Sequence, residues 1–301
     1  MDTVGRVFPA RKGHLVSFRR AANRPPSVFV IAAALFSAGA PAQAGGEGKL
    51  EAQFVASVAG IPIGKGVWVI DVVDDQYTAS AAGKTTGLMQ VFAGGQGTAS
   101  GRGTVNGGKP VTSSYAATIT ADKKFDDVRM ALVAGNVKEY SAEPPFPPTP
   151  DRVPVTEANR RGVVDPMSAT LMPVAGGGDP VKPEACNRTL AIFDGRGRFD
   201  LALSYKRMEQ VRTERGYQGP VVVCAVRYHP ISGHRPSRSA VRYLMEQRDI
   251  EVALAPVAGT RVLVPYRVFV PTAIGPAVLE ATQFVSVPRA RPSQATNAKT
   301  F

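Results

Sequence analysis

The stretch Thr189–Leu203, TLAIFDGRGRFDLAL, decides the fold. Apolar residues alternate on both sides of Asp194-Gly195, and that dipeptide suits the tight turn that joins two antiparallel strands. The same texture recurs about every dozen residues. Leu50–Val58, Gly66–Val73, Gln76–Ala82, Pro110–Thr120 and Phe125–Ala134 read as strands in the first half. Pro220–Tyr228, Arg248–Ala255, Arg261–Val270 and Ala277–Val287 continue the pattern in the second. Gly60-Ile61-Pro62-Ile63-Gly64 reads as a turn. Helix signals are scarce. Asp165-Pro166 opens a short helical segment to Met172, with an acid at the cap and proline at the first position. Thr85–Phe92 is left open between a short helix and a strand.

Six prolines lie at 144, 145, 147, 148, 150 and 154. Proline fixes φ and lacks a donor, so this stretch is an extended connection, within about 141–164. It could divide two domains, but each half alone would be a modest sheet with exposed edges. The expectation is one β-rich domain over residues 45–287. It is all-β and mainly antiparallel: a curved sheet or incomplete β-barrel with one or two short helices.

The N-terminus is a secretory leader by its pattern. Six Lys or Arg stand against one acid, then Val28–Ala40 runs 13 residues without charge, and Ala42-Gln43-Ala44 supplies the small residues a signal peptidase reads. At about 1.5 Å per residue that run is about 20 Å long, short of a bilayer core of about 30 Å. The predicted cut falls between Ala44 and Gly45, giving a periplasmic protein that is not integral to the membrane. Arg19-Arg20 lacks the apolar residue a twin-arginine signal places soon after the pair. Cleavage would remove six of the 36 Lys and Arg and one of the 24 acids, taking the net charge from +12 to +7. That balance suits anionic lipid or an anionic envelope polymer, and export separates the chain from nucleic acid. The tail from Pro288 to Phe301 reads as disordered.

Two cysteines, Cys186 and Cys224, have no metal-type spacing, and in an oxidising compartment such a pair forms a disulfide. Catalytic signatures are thin. Gly83-Lys84-Thr85-Thr86 lacks the first glycine of a phosphate loop, because that position is Thr78. There is no G-x-S-x-G elbow. His229 and His234, in a segment that reads as a loop, are five apart with no ligand-type companions, so neither a metal nor another cofactor is implied. A general base drawn from them with Asp165, Asp194 or Asp200 would make the chain an envelope hydrolase, the weakest reading; Asp165 itself reads as a cap. The cationic residues Arg196, Arg198, His234, Arg235 and Arg238, with Arg242 beyond, would share one rim if the cysteines are bonded. Guanidinium forks suit phosphate or carboxylate, and the alternative is a solvated loop surface.

Several segments together are similar to domain-of-unknown-function family 3108, in the form found in alphaproteobacteria. They are Gly60–Gly64, Asp165–Ala169, Phe193–Asp200 after Cys186, Arg227–Arg235 and Val270–Gly275, and the likeness extends over about residues 48–287. It implies an exported envelope protein with a curved sheet or incomplete barrel, and it carries no catalytic residues. The expected function is non-catalytic: binding a lipid or other amphipathic envelope component, with the arginine rim meeting anionic groups. The alternative is a scaffold for other envelope proteins. The oligomeric state is not legible.

Overall fold

The computed structural model describes residues 46–87, 94–122 and 124–289. The expected leader lies outside them, as do residues 88–93 and the tail beyond 289.

Seven strands form an antiparallel meander: β1 (Gly48–Val58), β2 (Ile61–Val73), β3 (Gln76–Thr85), β4 (Gly95–Asn106), β5 (Lys109–Ala121), β6 (Lys124–Val133) and β7 (Asn136–Glu143). The chain then runs through the proline-rich strap, a short β8 (Met172–Pro173) and a second set of strands. These are β9 (Arg188–Phe193), β10 (Arg198–Arg212), β11 (Arg215–Gly216), β12 (Gln218–Ser232), β13 (Ile250–Pro256), β14 (Val262–Val270) and β15 (Ala277–Pro288). β15 pairs with β1 along its length, so strands from both sides of the prolines belong to one sheet, from β7 at one edge to β9 at the other. The fold is all-β and mainly antiparallel. Among the described residues it holds one α-helix, α1 (Ser239–Glu246), and three 3-10 turns.

Residues directly opposite in a ladder point to the same face. The row Ala52–Trp68–Ala81–Ala99–Ala117–Val128 crosses β1 to β6 and faces inward, setting one large ring among alanines. The sheet curls until its edges meet. Tyr140 on β7 packs edge-on against Phe193 on β9 at 5.8 Å, and Arg196 after β9 reaches Asp126 on β6 at 2.8 Å. β7 pairs only with β6, so side chains and the strap, rather than a ladder, close this seam. Register shifts in β1, β4, β10 and β13 add the local bends such a curl requires.

β12 to β14 are buried on both faces. Val221, Val223, Ala253, Ala255, Val262 and Val264 face the interior; Val222, Cys224, Val252, Leu254 and Leu263 face a second core under the segment leading to β9. This explains the unbroken apolar run in Pro220–Tyr228. Cys186, at the end of the 3-10 turn Pro183–Cys186, is bonded to Cys224 inside that second core.

Where β14 and β15 diverge past Glu280, the tip of the β10–β12 hairpin enters the gap. Arg215–Gly216 pair in parallel with Gln283–Phe284, and Tyr217 packs on the Phe284 ring. Gly216 has φ +107, and a Cβ there would lie 2.1 Å from the Phe284 carbonyl oxygen.

The structure revises several boundaries. Ile61 already belongs to β2, so the first turn is only Ala59-Gly60, both at positive φ. β4 and β7 were not legible: Gly95–Asn106 is rich in glycine, and Asn136–Glu143 is mostly polar. β12 runs on to Ser232, placing His229 in a strand rather than a loop. The helix expected from Asp165 is a single 3-10 turn, Ser168–Thr170, while α1 has no capping signal in its sequence. β15 takes in Pro288, and Arg289 pairs with Asp71, so the tail begins later than expected.

The disulfide closes a separation of 38 residues, for which chain entropy gives about 4 kcal/mol of stabilisation. Replacing both cysteines by alanine should lower stability in urea unfolding by about 2–4 kcal/mol. No change would mean that the bond does not constrain the unfolded chain.

Candidate functional site

The interior is filled from the strap. Val163, Met167 and Leu171 enter the main core, and the polar residues between them are satisfied locally. Asp165 is 0% exposed. Its Oδ1 accepts from the backbone N–H of Met167 (2.8 Å) and Ser168 (3.0 Å), and its Oδ2 accepts from the Thr112 hydroxyl (2.6 Å). The Tyr77 hydroxyl donates to Ser168 Oγ at 2.6 Å. Asp165 is thus a cap, as its sequence context suggests. The turn fits because β4 is glycine there: a Cβ on Gly101 would lie 3.0 Å from Met167 Cβ and 3.1 Å from Asp165 Oδ1. Burial raises the Asp165 carboxyl above its ordinary range, against the pull of its hydrogen bonds. Burial likewise pushes Tyr77 up to about 12 and raises Tyr115, with the nearby Asp165 charge adding to both.

A carboxyl raised on folding gives stability that is full below its unfolded value, about 3.9, and lost as pH climbs through the folded one. The stability advantage of wild type over Asp165→Asn should therefore narrow from pH 3.5 to pH 7 in urea titrations. Asp165→Ala, which strands buried donors, should cost about 1–3 kcal/mol or more throughout. A gap that widens with pH would contradict this.

The structure brings Arg196, Arg198, His234 and Arg235 to one end of the sheet, because the β9–β10 turn abuts the end of β12. The arginines are engaged within the chain, whereas the buried Nδ1 of His234 has no hydrogen-bond partner among the described residues. Arg196 bonds Asp126 and the Pro144 carbonyl, and its guanidinium lies 4.4 Å from the Phe146 ring centre. Arg152 stacks on Phe146 at 4.1 Å and donates to the Gly233 carbonyl. Arg198 pairs with Asp200 at 2.7 Å, and Arg235 pairs with Asp151 at 2.8 Å. The His234 carbonyl accepts from Val153 N–H. Arg238 stands at the N-cap of α1, where its carbonyl accepts from Val241 and Arg242. The cluster works as a clamp that holds the proline strap to the sheet. His229 is opposite Asp200 in the ladder, and no hydrogen bond between their side chains is present among the described residues.

Arg196→Ala should loosen the strap without unfolding the sheet. Limited proteolysis should then cut within 144–154 at least several times faster, with far-UV circular dichroism unchanged; equal cleavage would refute the clamp.

With the interior occupied, concave space lies at the surface. A groove of about 780 Å³ runs between the strap and the β5–β6 hairpin, lined by Ile119, Ala121, Phe125, Phe146 and the prolines at 144, 145 and 147, with two cations, Lys124 and Arg196, and two acids, Asp126 and Glu143, in its wall. Phe146 was the one aromatic residue among the prolines, a signal that sequence reading passed over. A second groove of about 630 Å³ crosses the outer face of β1 to β5, where Val55, Lys65, Lys84, Gln96 and Thr120 form one row. Gly83-Lys84-Thr85 sits within β3, which removes the phosphate-loop pattern from any loop context.

A curled antiparallel sheet with an open seam, a filled interior and surface grooves defines this molecule as a β-barrel-like protein. The chain belongs to the family described as protein of unknown function (DUF3108), whose model matches residues 53–282. Among solved structures it is similar to a β-barrel-like protein of domain of unknown function DUF1849 from Brucella abortus. The two share 10% identity and a TM-score of 0.43, over 80% of this chain and 98% of that one. No curated protein matches significantly.

Proposed function

We propose that this is an exported, non-catalytic protein of the cell envelope that holds an amphipathic envelope component in the groove beside the proline strap. The observation that carries the reading is the groove's composition. Ile119, Ala121, Phe125, Phe146 and three prolines offer an apolar trough of about 780 Å³; Lys124 stands where an anionic head would lie, while Arg196 is paired with Asp126 and Glu143 completes the wall. Proline-rich walls lose little entropy on binding, which favours a preformed groove. The leader pattern, the disulfide and the basic balance support the envelope location.

Lipid extracted with the purified protein should be detectable by mass spectrometry, and Phe146→Asp should abolish its retention. Finding none, with no binding to lipid or glycan panels, would end this reading. A second reading, a scaffold for other envelope proteins, is favoured by the filled interior. It would show as specific co-purifying partners in the absence of bound lipid.

A further inference from the structure

The two ends of the meander are built of different turns. At one end the connections are Asp74-Asp75, Asn106-Gly107-Gly108-Lys109 and Ala134-Gly135-Asn136, polar or glycine apart from exposed Val133 and Ala134. At the other end, two turns sit side by side. The Ala59 N–H donates to the Pro276 carbonyl at 2.9 Å, and a Cβ on Gly275 would lie 2.7 Å from that of Ala59. Between them they present Ala59, Ile61, Pro62, Ala273, Ile274 and Pro276 to solvent, with no charged residue in 59–63 or 271–276. Ile61 is 63% exposed and Ile274 is 78% exposed. Tight turns are normally made by Gly, Pro, Asn, Asp or Ser, which supply the needed backbone angles or a local hydrogen bond; isoleucine supplies neither. Both isoleucines leave most of their surface in solvent.

A second observation comes from the ladder just behind these tips. Lys65 and Lys84 are directly opposite each other on β2 and β3. Like charges in that position repel and weaken a sheet. Neither lysine makes an ion pair among the described residues; the row they share runs through Gln96 and Thr120 to Phe125 on one side, and through Val55 to Glu280, which is paired with Arg267, on the other. Lys65 is four residues from Ile61, about 13 Å along the strand, and a lysine stem extends several ångströms further with its ammonium free to reach toward the tip. Lys124, the first residue of β6, adds a third cation at this end, next to the exposed Asp122 of the β5–β6 turn.

We infer that this end of the barrel docks on an anionic lipid bilayer surface: Ile61 and Ile274 enter the interface, and Lys65, Lys84 and Lys124 meet the headgroups. The two elements divide the task. Apolar side chains supply attraction that salt does not screen, and cations supply attraction that salt weakens. The strap groove opens at this same end, beside the β5–β6 turn, so a docked molecule holds that groove toward the lipid. The inference goes beyond the proposed function, because docking requires only that the chain meet a bilayer, whether or not the groove carries a ligand.

The test is vesicle flotation of protein expressed from the full sequence and purified as the cell processes it, with intact mass recording its N-terminus. Wild type should float with phosphatidylethanolamine–phosphatidylglycerol vesicles and much less with phosphatidylcholine alone. Ile61→Asp with Ile274→Asp should weaken flotation about tenfold or more, at low and high salt alike. Lys65→Gln with Lys84→Gln should weaken it severalfold at low salt and leave the phosphatidylcholine signal unchanged. All four sites are exposed, and circular dichroism melts confirm that each variant remains folded. Equal flotation of wild type and variants would overturn the inference. So would absence of flotation, including the case where the isoleucine variants convert a dimer to a monomer by light scattering, since the turns would then meet a second copy. Loss of the groove ligand in Phe146→Asp with flotation retained would leave docking standing; the reverse result would remove docking and keep the groove.

Discussion

A sheet this wide, with one face apolar, must bring its edges together, yet here the edges do not share a ladder. The seam between β7 and β9 is crossed by single contacts, Tyr140 with Phe193 and Arg196 with Asp126, and by the strap. The strap makes one bridge to β9, Val164 with Ile192, and then turns inward at Asp165. That carboxylate ties the turn's own N–H groups to Thr112 on β5. It therefore joins the first half of the sheet to the segment that fills the barrel. Without it, the interior would need water or a ligand to satisfy the same donors.

This arrangement has a functional consequence. With its own connection packed into the main core, the two largest grooves described lie at the surface. The arginines that would suit an anion-binding rim are largely engaged in holding the strap. Phe146 between two guanidinium groups shows how tightly the two are coupled. Among the described residues, Lys65 and Lys84 make no ion pair, and they lie elsewhere, on the outer face of the meander. The second core confines the disulfide to the opposite half of the sheet, where both faces are covered and binding surface is least available.

The parts of the site differ in how readable they were. Asp165 was legible as a cap because capping is local: the acceptor and its N–H donors are two and three residues apart. The cysteine pairing was legible from number and from the oxidising compartment that the leader pattern led one to expect. The arginine rim was half legible; proximity followed from the disulfide and hairpin, but Asp126, Asp151 and Asp200 as partners did not. Ion pairs depend on which strands curl past each other, and the sequence holds no record of that distance.

Alternation, turn chemistry and proline exclusion act over a few residues, so the chain itself determined that it would be β-rich, antiparallel and interrupted at 144–154. It also carried its family in short motifs. β4 stayed hidden because it is rich in glycine, and one of these, Gly101, answers to a turn that arrives from 64 or more residues later in the chain. The closing of the seam, the filling of the interior and the gathering of Ile61 and Ile274 at one end belong to tertiary structure alone. Each depends on non-local packing, where the partner of a residue is set by the curvature of the whole sheet.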